Sequence, residues 1–363
     1  MSSKRLVLPI VAIVLLASIL GCSGSPSPRE PRAQIKAPPG GVLLRGAGAT
    51  FPAPLYQQWF AAYASTHPKV LISYEAVGSG EGIRRFVGKN VTPEEQVDFG
   101  ASDAAMRDEE IAAMPRGVVL LPVTAGSVVL AYNLPDVPEL KLSRRAYAGI
   151  FLGEIREWNH PLIAQSNPGI RLPKLSITTV VRQDGSGTTF AMTKHLDAIS
   201  ETWRSRYGAA TLVDWPGAAM RAKGNEGVAG RIKQATGSIG YVNYGAARSV
   251  GLPMARLENR EGAMVQPGAA SGTAALDAVA LPENLRVFIP DPAGKDAYPI
   301  LTLTWILLYR SYPEVAKAEV ARDLFRWCLT EGQERSGELG YIRLPPSISS
   351  RALTALLQHV GAQ

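Results

Sequence analysis

With 363 residues, 46% of them hydrophobic and 19% charged, the chain can bury a large core and is too apolar to be a disordered segment. Its formal charge of +7 is scattered rather than blocked, which argues against a nucleic-acid partner. Two cysteines cannot build a disulfide framework or a zinc motif, and the histidines His67, His160, His195 and His359 are dispersed as surface or packing residues are.

The chain opens on Lys4 and Arg5, then runs apolar and uncharged from Leu6 to Leu20. That run is short for a membrane span and polar chain follows it, so residues 1–21 read as a secretory signal. Its end, Ser18-Ile19-Leu20-Gly21-Cys22, resembles a bacterial lipobox. The resemblance implies that Cys22 carries lipid and becomes the mature N-terminus; a plain cleaved signal is the alternative. Residues 22–41, rich in Pro, Ser and Gly, read as a flexible tether.

The folded body is expected from Val42. A short strand, Val42–Arg45, runs into a glycine-rich turn, and Leu55, Trp59, Ala62 and Tyr63 then recur at helical spacing behind Pro52 and Pro54. A strand from Val70 to Ala76 leads to a second turn, Val77-Gly78-Ser79-Gly80-Glu81-Gly82, and a helix through Ile83 and Phe86. A third strand lies around 97–100 and is closed by Ala101-Ser102-Asp103. Val118–Val123 and Ser127–Tyr132 read as two extended runs separated by Thr124-Ala125-Gly126, where the chain crosses between lobes.

Tyr147, Ile150 and Phe151 restore helical spacing. The β-branched run Ile177–Val181 then turns through Arg182-Gln183-Asp184-Gly185-Ser186-Gly187-Thr188 into a helix. Ala222–Gly227 opens another helix and Ser238–Asn243 reads as a strand. Pro267–Asp277, made mostly of small residues, reads as a surface loop. Leu301–Tyr309 is a further extended run, and an amphipathic helix runs from Pro313 to Leu329, with Cys328 on its apolar face as a buried thiol. Alternating strands and helices argue for α/β lobes, with residues 42–125 and 298–363 in one and 126–297 in the other.

A strand that turns through glycines into a helix leaves the first helical N–H groups unpaired, so such turns suit oxyanions. Thr50 offers a hydroxyl, and its N–H and that of Phe51 lie beside a helix start. Ser79 repeats this, and Arg182 with Ser186, Gly187 and Thr188 adds a guanidinium fork and further donors. Asp184 is placed to pair with that fork. Each turn also has a bland reading, with Gly and Ser serving turn geometry alone. Asp103 reads either as an N-cap or as an acceptor for a proton carried by the ligand, which phosphate has at neutral pH and sulfate lacks.

Gly46-Ala47-Gly48-Ala49-Thr50-Phe51-Pro52-Ala53-Pro54, Asp98-Phe99-Gly100-Ala101-Ser102-Asp103 and Arg182-Gln183-Asp184-Gly185-Ser186-Gly187-Thr188 closely resemble the periplasmic phosphate-binding protein of the bacterial phosphate ABC importer. Lys223-Gly224-Asn225-Glu226-Gly227, Gly240-Tyr241-Val242 and Tyr298-Pro299-Ile300 match the same family in order, over about residues 45–345. The resemblance implies a two-lobed α/β periplasmic-binding-protein fold of the Venus-flytrap kind, with a ligand cleft between lobes and a two-strand hinge near Gly126 and Ile300. It implies that Thr50, Phe51, Ser79, Asp103, Arg182, Ser186, Gly187 and Thr188 contact inorganic phosphate and that Asp184 pairs with Arg182. It implies a monomer that docks on an ABC permease, with no cofactor and no metal. One departure is Gly80, where many members carry a second serine. Against this stand a hydrolase using Ser186 with His195 as base, a binder of sulfate or molybdate, and a scaffold lipoprotein. The hydrolase is disfavoured because His195 falls about two turns along the helix that Ser186 precedes.

Overall fold

β-Branched and aromatic runs bounded by glycine-rich turns form one mixed eight-stranded sheet. In chain order its strands are β1 (Val42–Gly48), β2 (Val70–Ala76), β3 (Phe99–Ser102), β4 (Val118–Tyr132), β5 (Thr178–Arg182), β6 (Met220–Ala222), β7 (Ser238–Asn243) and β8 (Leu301–Tyr309). In space the order is β2-β1-β3-β8-β4-β7-β5-β6. The computed structural model describes residues 35–277 and 279–362. The predicted signal, Cys22 and most of the predicted tether lie outside the described residues.

The register explains why distant turns meet. β1 runs parallel to β2 and β3, and Gly48 at its end pairs with Ala76 and Ala101, so three carboxyl ends are level. On the other side β5 runs parallel to β6 and β7, and Arg182 pairs with Ala222. β4 joins the two groups: its residues from Val118 to Ser127 pair antiparallel with β8, and those from Val128 to Tyr132 with β7. Asn243, ending β7, pairs with Val128, while Ser102, ending β3, pairs with Trp305, which in turn pairs with Pro122. Both carboxyl edges therefore meet at the middle of β4. In open α/β sheets such edges are where ligands bind.

β4 corrects one sequence expectation. Thr124-Ala125-Gly126 does not separate two strands, because the strand is continuous and buried at all 15 positions. Thr304 pairs with Thr124 and Trp305 with Pro122, so the irregularity is absorbed as a bulge at Val123. The return of the chain lies alongside, with Thr302 paired to Gly126 and Val128 N–H donating to Ile300 O at 3.0 Å.

A second correction concerns Ala269–Asp277, which is a helix and not a loop. Its small residues allow close approach: a Cβ on Gly272 would lie 2.6 Å from Ile342 Cδ1 and 3.2 Å from Ser127 Oγ. The third strand sits two residues later than the sequence suggested, at Phe99–Ser102. The helix after β2 begins at Ser79, so Gly80 and Gly82 are helical rather than turn residues. The helix Val315–Leu329 forms with Ala321, Leu324, Phe325 and Cys328 on its buried face. Burial pushes the Cys328 thiol well above its ordinary range, so it stays protonated and inert.

Candidate functional site

Thr50 and Phe51 leave the end of β1, Ser79 opens the helix after β2, and Asp103 follows β3. From the facing edge come Arg182, the last residue of β5, and Ser186, which caps the helix Gly187–Ile199 by accepting the Thr189 N–H at 3.1 Å. The seven of the eight predicted contacts that carry side chains are at most 3% exposed, and Gly187 is buried too. The two edges touch directly. Gly187 N–H donates to Ser79 Oγ at 3.0 Å, and Gly80 N–H donates to Gly185 O at 3.0 Å. Gly78 makes this fit possible, since its φ is 97° and a Cβ there would lie 2.4 Å from Asp184 Oδ2.

The polarity of the site follows from which lone pairs are already taken. Ser79 Oγ accepts N–H groups from Asp103 at 3.2 Å and Gly187 at 3.0 Å. Thr50 Oγ1 accepts from Asn225 twice, from its backbone N at 3.3 Å and its Nδ2 at 2.9 Å. A hydroxyl has one hydrogen and two lone pairs, so both of these hydroxyls have only a hydrogen left to offer. The N–H groups of Thr50, Phe51 and Thr188 meet no acceptor among the described residues. Gly187 N–H, which the resemblance places at the ligand, donates here to Ser79 Oγ.

Arg182 sets the charge. Its Nε donates to Asp184 Oδ1 at 2.8 Å and its Nη2 to Asp184 Oδ2, a fork-on-carboxylate pair that leaves Nη1 without a partner among the described residues. Asp184 Oδ1 also takes the Gly224 N–H at 3.2 Å, which fixes the pair to the next turn. Among these donors Asp103 stands out as an acceptor. Its Oδ1 receives the Thr304 hydroxyl at 2.7 Å. Burial pushes its carboxyl up to about 7, opposed by the Thr304 hydroxyl, the charge of Arg182 and the Ser79 hydroxyl. Its neighbours on the return strand also hold its backbone, Thr302 Oγ1 donating to Asp103 O at 3.2 Å.

Reasoning from the sequence missed the residues that hold the donors in place. Asn243 Nδ2 and the Tyr341 hydroxyl both donate to Phe51 O, at 2.8 and 2.6 Å, and the rings of Phe51 and Tyr341 meet edge-on. Asn225 joins Thr50 to Thr188, and Thr304 holds Asp103. Asn225 lay within a quoted motif, but nothing local marked its partner as Thr50.

The geometry also separates Ser186 from a general base. His195 is fully buried, with Nδ1 donating to Pro290 O at 2.6 Å and Nε2 accepting the Tyr147 hydroxyl at 2.8 Å. Burial pulls its imidazole down to about 4, so it is neutral and both nitrogens are engaged within the protein. The Ser186–His195 pair that hydrolysis would require is not formed.

Residues 27–331 match the model of the PBP superfamily domain. The phosphate-binding protein PstS of Xylella fastidiosa (strain Temecula1) is 37% identical over 312 residues, covering 85% of this chain and 83% of that one. PstS of Pasteurella multocida is 38% identical over 313 residues, covering 84% and 87%. In fold, the phosphate-binding protein from Stenotrophomonas maltophilia superposes with a TM-score of 0.73 at 20% identity, over 88% of this chain and 96% of that one. With identity at this level over 84–85% of the chain and the superfamily domain spanning most of the sequence, the chain belongs to the PstS family of phosphate-binding proteins.

Proposed function

We propose that this protein binds inorganic phosphate outside the cytoplasmic membrane and delivers it to the ABC permease of a phosphate importer. The observation that carries the reading is polarity: hydroxyls and N–H groups restricted to donating surround one buried carboxylate that can accept. That pattern suits a tetrahedral anion with acceptor oxygens and one proton, and it suits sulfate poorly because the acceptor would be left unpaired. A micromolar site requires about −8 kcal/mol net. Charge-assisted hydrogen bonds contribute roughly 1.5–3 kcal/mol each, so the donors from both edges supply that with margin for the entropy of closure.

The ion would bridge loops from both carboxyl edges and favour the closed arrangement over an open one. On this reading residues 42–125 with 298–363 form one lobe and 126–297 the other, hinged where β4 and the start of β8 lie side by side. Calorimetry with phosphate, sulfate and molybdate tests the assignment. Phosphate should bind at least a hundredfold tighter than either, and preference for sulfate would overturn it.

Closure makes Gly187 sensitive. A Cβ there would lie 2.5 Å from Asp103 Cβ and 2.7 Å from Ser79 Oγ, across the contact between edges. Overpacking of this kind costs about 1–3 kcal/mol, and opening the cleft relieves it without unfolding either side. Gly187→Ala is therefore expected to weaken phosphate binding roughly 5- to 150-fold while leaving the ligand-free melting temperature within a few degrees. Gly230→Ala, where a Cβ meets nothing within 4 Å, is the control and should bind as the unaltered chain does.

Lipid on Cys22, with residues 22–41 as a tether, would keep the binding domain beside its permease on the outer face of a membrane. Cys22→Ser should then release the protein from the membrane fraction in cells. Retention of the variant there would remove the anchor from the proposal.

A further inference from the structure

Asn225 is fully buried, is the second residue of the helix Gly224–Gln234, and touches both edges of the site. Its Nδ2 donates to Thr50 Oγ1 at 2.9 Å and to Thr188 Oγ1 at 3.3 Å. Its own backbone N–H adds a second bond to Thr50 Oγ1 at 3.3 Å. The orientation of the amide is not free. Its Oδ1 accepts the Asn243 N–H at 3.0 Å, a task only the carbonyl end can perform, so the NH₂ end must face the two threonines.

We infer that Asn225 is a positioning residue that sets the donor polarity of Thr50, leaves the Thr188 hydrogen free, and thereby fits the closed site to an acceptor-rich anion. The inference rests on the proposed phosphate reading and deepens it. A threonine hydroxyl left to itself can present either its hydrogen or a lone pair to a ligand. Asn225 removes that choice at Thr50, whose two lone pairs take its backbone N–H and an Nδ2 hydrogen, and narrows it at Thr188, whose hydroxyl accepts the other Nδ2 hydrogen and so keeps its own hydrogen for the ligand. The same amide reaches Thr50 on one edge and Thr188 on the other, so the correct polarity is assembled only when the edges are together. Further along, Asn243 continues the chain of bonds to Phe51 O at 2.8 Å. The loop after β1, which carries the N–H groups of Thr50 and Phe51, is thus tied to the second edge through two asparagines.

Asn225→Asp tests the inference because it keeps shape and reverses polarity. A carboxylate still accepts the Asn243 N–H but cannot donate, so Thr50 and Thr188 would turn their hydrogens toward it and their lone pairs toward the ligand. Inorganic phosphate should bind the variant at least a hundredfold more weakly than the unaltered chain at pH 8. Protonating the introduced carboxyl restores one donor, so at pH 5 the deficit relative to the unaltered chain should shrink at least tenfold. A merely structural role would not produce that recovery. Binding within threefold of the unaltered chain at pH 8, or a deficit identical at both pH values, overturns the inference. If the aspartate variant fails to fold by circular dichroism, Asn225→Ala decides: a loss of tenfold or more supports the inference and a change under threefold overturns it. The unaltered chain is titrated in parallel. Its own failure to bind phosphate would overturn the phosphate reading and this inference with it, whereas binding by chain and variants alike overturns the inference alone.

Discussion

Arg182→Ala is expected to abolish measurable phosphate binding. The guanidinium is 2% exposed and forks onto Asp184, whose side chain is 13% exposed. Removing it has two consequences of the same sign. The bond that Nη1 would make to the anion on the proposed reading is lost, roughly 1.5–3 kcal/mol for a charge-assisted contact. Asp184 is then left as an uncompensated carboxylate beside the site, and at about 6 Å with an effective dielectric near 20 its repulsion of a unit anion is about 3 kcal/mol. Together these amount to about 5 kcal/mol, or several thousandfold, which moves a micromolar site out of the range calorimetry reads. The double substitution Arg182→Ala with Asp184→Ala removes the repulsion and should recover at least tenfold of the loss. Retention of phosphate binding within tenfold by the single variant would show that the arginine does not face the ligand.

How much of this was legible in the sequence depends on the range over which each residue acts. Ile177–Val181 followed by Gly185-Ser186-Gly187 announces a strand, a turn and a helix start within a dozen residues, and β5, the Ser186 cap and the helix Gly187–Ile199 are where local chemistry puts them. β2 and β7 were legible to the residue for the same reason. The misreadings arose where the deciding partner is remote. Thr124-Ala125-Gly126 reads as a break between two extended runs, but Thr302 to Thr304 of β8 pair with it and draw it into one strand. The small residues of Ala269–Asp277 look like a loop until Ile342 and Ser127 are packed against Gly272. The site divides in the same way. Donor turns could be recognised from glycines and hydroxyls nearby in sequence. The groups that orient them could not: Asn225 lies 175 residues from Thr50, and Thr304 lies 201 from Asp103.

The site also exacts a cost in stability. Donors without acceptors and a buried carboxylate are features a protein optimised only for folding would lack. Gly78, Gly80 and Gly187 add backbone freedom that the closed arrangement must freeze, because each lies where a Cβ would crowd the opposite edge. The ligand offsets these costs, so the bound form should be markedly more heat-stable than the free one.

Asp103→Asn separates that cost from the function it serves. Thr304 donates to Oδ1, so the carbonyl end of an asparagine would occupy that position and its NH₂ group would take the place of the acceptor facing the ligand. The ring of donors is then complete, and the proton on phosphate has nowhere to go. Sites that pair a buried polar group with a substrate hydroxyl discriminate by roughly 10⁴ to 10⁵ against the analogue lacking it. The substitution is expected to lower the phosphate-to-sulfate affinity ratio at least a thousandfold, with calorimetry in both ions as the measurement. Stability should move the other way. With its folded-state value near 7 against 3.8 for the free side chain, Asp103 keeps a proton in the folded protein that the unfolded chain has released between those values. The ligand-free protein therefore loses stability as pH rises from about 4 to about 7, by an amount of the order of 4 kcal/mol from this carboxyl. Asp103→Asn removes that slope, so without phosphate the variant should melt several degrees above the unaltered protein at pH 8 and close to it at pH 4. An unchanged ion ratio would place Asp103 away from the ligand, and an unchanged difference in melting between the two pH values would show that its burial carries no such cost.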